Sequence, residues 1–418
     1  MKIFKLMAIA LVALVGLNSC SKDCDHDFIE HDFTQDIVGT WTSFDGELAE
    51  AMVINPDGSF TTTGVMKGGN LYEEKGTIKV VNNKVSLVFE GDKDVIEGRL
   101  ELVAGKSLSI VLFDDNDVRL TYDYCANDLS KEIVGMWVCN DYSTGVENDM
   151  VIQTFKEDGT VTKTGWSAAS NEFIVNETIT YKVVGDLVFH QRPSDNVAEG
   201  AAAHFASKLT YMPNANQLGD MLTNTSIKVI NGEAVELSAS MLRIRQSLDL
   251  AGMKYDYIKT FVTNVKGEDK DIPFLNTSFN FAKMDGSIID KFLKSILFTV
   301  EFPEANKIKY SYLLEGKNIV IDAPIEVDGN KMTIKMSANN PAYQDVDMYA
   351  FQDQDNTQMH WYMPTTSFEK FFGNTSVALM LGYGQLDKDD TEGIANVYKT
   401  IADAVESINL SIVMSQSK

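Results

Sequence analysis

One six-residue pattern occurs twice. Asp36-Ile37-Val38-Gly39-Thr40-Trp41 returns as Glu132-Ile133-Val134-Gly135-Met136-Trp137, and each copy is followed by a turn, Asp57-Gly58-Ser59 and then Asp158-Gly159-Thr160. A repeat of this period is a whole domain, because stacked solenoid units recur every 20–50 residues or so. Downstream of the first copy, apolar and polar residues alternate in short runs, the period of a strand with one buried face. The pattern predicts strands at 40–44, 50–55, 59–66, 74–81, 84–90, 97–104, 107–113 and 118–124. The breaks hold Gly, Asn or Asp, as in Pro56-Asp57-Gly58, Asn82-Asn83 and Ala104-Gly105-Lys106, which suit tight reversals. Hairpin-linked strands leave two raw edges unless the sheet closes. The predicted fold class is therefore mainly all-β, as tandem antiparallel up-and-down β-barrels.

The chain has 418 residues, too many for one core at roughly 100–200 residues per domain. Its 44% hydrophobic and 23% charged residues are a globular balance, and 8 prolines leave no Pro-rich linker. We expect a signal peptide over 1–19, an acidic tether over 20–35, a first barrel over 36–128 and a second over 129–262. Tyr255-Asp256-Tyr257 echoes Tyr122-Asp123-Tyr124 but lies farther from its tryptophan, so an inserted surface loop is expected near 190–235. Residues 263–418 lack Gly-x-Trp. Strands are predicted there at 296–302, 307–314, 317–322, 331–337, 346–351, 358–363 and 376–383, then a helix near 389–406 and a strand at 408–414. Asp387, Asp389, Asp390 and Glu392 stand at the helix start, where the dipole favours negative charge. This region reads as a third, divergent barrel carrying a packed helix, or as an α+β domain.

Gly-x-Trp on a first strand, preceded by a segment that can plug the barrel base, resembles the lipocalin or calycin superfamily. The pairs Gly39/Trp41 and Gly135/Trp137 carry it, and the resemblance is greatest to small lipocalin-like domains of Bacteroidetes lipoproteins. It implies a barrel with room for an interior ligand, and a structural role for the motif itself.

The N-terminus suggests an address. Lys2 and Lys5 precede an apolar run from Leu6 to Leu17, too short to span a bilayer as a helix. Leu17-Asn18-Ser19-Cys20 resembles a bacterial lipobox, which implies cleavage before Cys20 and its acylation. Several acyl chains on one residue anchor stably where one does not. The acidic stretch after Cys20 resembles the surface-export signal of Bacteroidetes lipoproteins. The expected location is the outer membrane, at the cell surface or in the periplasmic leaflet. Besides Cys20, only Cys24, Cys125 and Cys139 remain, enough for a single internal bridge, and two buried free thiols are expected at Cys125 and Cys139.

Charge and motifs narrow the function. A net charge of −24 excludes nucleic acid as the main partner, since phosphate binding needs clustered Lys and Arg. The chain has no Gly-x-Ser-x-Gly, no phosphate-cradling loop, no His-Glu-x-x-His and no Cys-x-x-Cys, and only 5 histidines. No catalytic residue, cofactor or metal is expected. Cys24, Asp25, His26, Asp27, Glu30, His31 and Asp32 are metal-ligand types on what reads as a solvated tether. Tyr349 and Phe351, with His360 and Tyr362 on the next strand, form an aromatic face that could stack a sugar or serve as cross-strand core. The expected function is a non-catalytic, lipid-anchored envelope protein binding a small apolar molecule or a glycan. The alternative is a structural or interaction subunit of an outer-membrane assembly, and a hydrolase is the third reading.

Overall fold

The computed structural model describes residues 33–417 except 46–47, 67–69, 114–117, 140–149, 194–201, 215–218, 231–232, 268, 273–276, 281–285, 315 and 339. Cys20, the lipobox residues Leu17, Asn18 and Ser19, and the tether's metal-ligand types lie outside the described residues.

Three closed barrels of eight antiparallel strands follow one another along the chain. Barrel 1 comprises β1 (Gly39–Phe44), β2 (Leu48–Ile54), β3 (Ser59–Met66), β4 (Leu71–Val81), β5 (Lys84–Phe89), β6 (Ile96–Val103), β7 (Ser107–Leu112) and β8 (Arg119–Cys125). Each strand pairs with the next, and β1 closes on β8 with Trp41 opposite Tyr124. Barrel 2 comprises β9 (Gly135–Cys139), β10 (Val151–Phe155), β11 (Thr160–Ser167), β12 (Glu172–Val184), β13 (Leu187–Gln191), β14 (His204–Met212), β15 (Met221–Ile230) and β16 (Glu233–Ile244), closed by pairing of β16 with β9. In both, the chain enters and leaves at one end, the base, and the other end is the mouth.

Barrel 3 opens with β17 (Met253–Gly267). A separate hairpin, β18 (Asp269–Ile272) and β19 (Thr277–Asn280), and the helix α1 (Gly286–Ser295) precede its second strand. Then come β20 (Thr299–Glu304), β21 (Lys307–Leu314), β22 (Lys317–Asp328), β23 (Lys331–Ile334), β24 (Val346–Gln352) and β25 (Gln358–Met363). Helices α2 (Thr365–Gly382) and α3 (Thr391–Ala404) lead into β26 (Val405–Gln416), which pairs with both β25 and β17. All three helices connect strand ends at the mouth. Asp390 caps α3 by accepting from the Gly393 amide at 2.9 Å, so the acidic cluster is a helix start. Among the described residues no helix is long and apolar enough to cross a membrane.

Alternation explains what lies inside. On β2, Met52 and Ile54 join the interior of barrel 1, while Ala49 and Ala51 face outward onto Leu187 and Phe189 of barrel 2. Val138, Ile152 and Leu242 of barrel 2 meet Phe351 and Tyr362 of barrel 3 in the same way. The barrels are thus joined by apolar seams made from outward positions that a lone barrel would leave polar.

Three expectations need correction. Tyr255-Asp256-Tyr257 does not end the second repeat: it lies on β17, which pairs with β20 and β26, so the boundary falls before 253 and not after 262. The extra residues near 190–235 are consequently no insertion, because β14, β15 and the end of β13 fill most of them and β16 follows. Residues 376–383 belong mostly to α2, whose buried Phe368, Phe371, Thr375 and Leu379 keep helical spacing. A short apolar run has no periodicity of its own to separate helix from strand. The last 150 residues close into a true barrel, the first of the two readings offered for them.

Candidate binding site

The repeated motif builds the barrel bases. Gly39 and Gly135 have φ of +142° and +138°, which glycine adopts freely, as the chain turns from the plug into the first strand. Ile37 and Ile133 sit in the barrel interiors, and the indole N–H groups of Trp41 and Trp137 donate back to their carbonyls at 2.8 and 2.7 Å. Both tryptophans are core residues at the closed ends.

Inside barrel 1 the Glu50 carboxylate is buried. Glu50 accepts hydrogen bonds from the hydroxyls of Tyr72 and Tyr122, and burial raises its pKa against the lowering effect of those bonds. Gly64 makes room for the Tyr72 ring, which would lie 2.4 Å from a Cβ there. Barrel 3 is filled by Phe298, Tyr310, Trp361 and Phe371, which meet at ring-centre distances of 5.5 to 6.5 Å. Beneath α1 and α2 only a small apolar cavity of about 40 Å³ remains.

The aromatic face predicted at Tyr349, Phe351, His360 and Tyr362 is assembled, with Tyr349 opposite Tyr362 and Phe351 opposite His360. It is not open to a sugar. Phe173 of barrel 2 lies 4.7 Å from Tyr349, 5.7 Å from Phe351 and 5.1 Å from Tyr362, and Trp166 joins the same stack. Burial and the charge of Lys259 push His360 down to about 3, so it is a neutral core residue. Cys125 is a partly buried free thiol whose S–H donates to the Asn127 carbonyl; the Cys139 side chain lies outside the described residues.

Barrel 2 differs. Its base is apolar around Trp137, Phe155, Val161, Ile179, Val188 and Leu209. Toward the mouth, the same inward faces of β11, β12 and β13 carry charge: Lys163 follows Val161, Glu177 precedes Ile179, and His190 and Arg192 follow Val188. Glu177 takes Arg192 Nε on one oxygen and Lys163 Nζ at 3.1 Å on the other. Burial opposes its charge, yet the two cations hold the carboxyl below its usual range. Phe205, across the strand pair from His190, is the scaffold: His190 stacks on it at 4.6 Å, and Arg192 and Lys163 lie 4.5 and 5.4 Å from its centre. His190 is 2% exposed, and its Nδ1 has no hydrogen-bond partner. Burial, with help from Lys163 and Arg192, pushes its pKa down to about 3. The sequence reading missed this group. The signal was charge on the inward-facing phase of three strands, visible only once each strand's phase is known.

These features define a class: a tandem β-barrel protein whose middle barrel carries cationic side chains on its inner wall at the mouth. No family model matches the chain, and no curated protein matches it. Among solved structures it is similar to Transferrin Binding Protein B, a vaccine antigen from Haemophilus parasuis Hp5. A double mutant of that protein aligns at 11% identity and TM-score 0.22, over 88% of this chain and 65% of the other. A single mutant of the same protein aligns at 9% identity and TM-score 0.20, over 84% of this chain and 68% of the other. A porin-like protein from Bacteroides uniformis ATCC 8492 aligns at 10% identity and TM-score 0.14, over 48% of this chain and 94% of that one.

Proposed function

We propose that the chain is a lipid-anchored, non-catalytic binding protein of the cell envelope, and that its ligand site is the mouth of barrel 2. The observation that carries this reading is the unpartnered Nδ1 of His190 on an inner wall lined by partly buried Lys163, Glu177 and Arg192. The other barrels differ: inside barrel 1 the Glu50 carboxylate is satisfied by two tyrosines and feels the like charge of Glu74, and barrel 3 is filled by aromatic rings. A polar mouth above an apolar base suits a small polar or amphiphilic molecule better than a wholly apolar one. The anchor is acylated Cys20, and the leaflet is that of the outer membrane.

The second reading is an interaction subunit without a small ligand, and the apolar seams that fuse three barrels into one body favour it. Native mass spectrometry of the full chain, extracted in detergent from its own cells, separates the two. A retained small molecule supports the binding protein, and a chain of bare acylated mass supports the subunit. Incorporation of labelled palmitate that persists in Cys20→Ser would overturn the anchor.

A further inference from the structure

Lys163 and Arg192 bring more donors to the mouth of barrel 2 than Glu177 can accept. Both oxygens of Glu177 are occupied, one by Arg192 and one by Lys163. An ammonium carries three N–H bonds and a guanidinium five. Arg192 spends Nε on Glu177 and Nη1 on the Ala202 carbonyl at 2.6 Å. Among the described residues His190 Nδ1 has no hydrogen-bond partner, and the bonds of Lys163 and Arg192 to Glu177 and Ala202 leave further N–H groups for an added acceptor. Two cations also stand against one carboxylate, so the wall is locally positive in a chain whose net charge is −24. An anion seated here gains charge-assisted hydrogen bonds. The Phe205 ring is already covered by these side chains, so it fixes their positions and leaves the recognition to their N–H groups.

We infer that this mouth binds the oxyanion of a small molecule, a carboxylate or a phosphate group seated between Lys163, Arg192 and His190. The inference rests on the reading of barrel 2 as the ligand-binding barrel.

The experiment is a titration of the full chain, with its histidines labelled with nitrogen-15, by inorganic phosphate, acetate and glucose in separate series at fixed ionic strength. The expected result is a saturable shift of one Nδ1 resonance with phosphate or acetate, absent in His190→Gln. The stronger of the two anions identifies the headgroup. Lys163→Gln and Arg192→Gln should each weaken binding at least tenfold with an unchanged circular dichroism spectrum, while Arg99→Gln on the outside of barrel 1 should leave it intact. No saturable shift with either anion, or shifts indifferent to both mouth variants, overturns the inference. A response to glucose alone overturns the oxyanion but keeps barrel 2 as the binding barrel. Silence toward all three, with a bare chain by native mass spectrometry, removes both.

Discussion

Arg243 and Trp137 lie directly opposite each other on β16 and β9, with the guanidinium carbon 4.7 Å from the ring centre. Tyr124 fills the equivalent place beside Trp41 in barrel 1, edge-on at 5.2 Å. Arg243 also donates to the Glu132 carbonyl, tying the plug of barrel 2 to its last strand. Arg243→Met keeps most of the packing and removes both interactions, so it should cost about 1–3 kcal/mol in urea denaturation. The exposed Arg99→Met should cost under about 1 kcal/mol.

Trp137→Phe and Trp41→Phe each orphan a buried isoleucine carbonyl and leave a void. Either should destabilise the chain by about 2–4 kcal/mol, read as a lower urea midpoint at unchanged slope.

Glu50 gives barrel 1 a pH dependence of definite sign. Its folded pKa is raised, chiefly by burial. Below its ordinary value near 4.5 the group is neutral in both states. As the pH rises above that value the unfolded chain ionises first, so stability falls until the folded pKa is passed. Glu50→Gln should match the native protein near pH 4 and exceed it at pH 8. Thermal melts across that range that fall in parallel for the two proteins would refute the assignment.

His190 and His360 act in the opposite direction. Both fold with pKa about 3 against 6.5 free, so their contribution is full above 6.5 and is lost as the pH falls toward 3. Each neutral histidine costs the folded state about 1.4 kcal/mol per pH unit over that window. The acid limb of the stability curve should become shallower in His360→Gln, and shallower again when His190→Gln is added.

The seam between barrels 2 and 3 rests on aromatic contacts, with Phe173 at its centre. Phe173→Ala should cost about 2–4 kcal/mol and split the calorimetric transition in two. Between barrels 1 and 2, Lys182 bonds Thr63 and Glu73, but that pair is about half exposed, with side chains 45% and 43% accessible. Lys182→Ala should cost under about 1 kcal/mol and leave the transition whole.

Barrel 1 is legible in the sequence because its phase is unbroken. Gly39 and Trp41 fix the start, and turns such as Asn82-Asn83 occur where the strands reverse, both asparagines having positive φ. Barrel 3 hides its start. Leu250-Ala251-Gly252-Met253-Lys254-Tyr255 holds a buried leucine, a glycine at φ +76° and a buried aromatic, but Tyr255 stands one place farther along than the tryptophans do. That shift let Tyr255-Asp256-Tyr257 pass for an ending. The face at Tyr349 and Tyr362 was correctly assembled from alternation alone, but a strand pattern cannot say which domain will cover it. For the same reason His190 was unreadable: whether an isolated histidine lies inside or outside a barrel depends on a register set by every strand before it.

Eight is an even number, and each barrel returns the chain to the rim from which it set out. Its two ends hang side by side, so a whole barrel can be cut out, duplicated or exchanged through two neighbouring backbone bonds without breaking a single ladder. Recombination could lengthen or shorten such a protein one barrel at a time, and only the apolar seams would have to be rewritten.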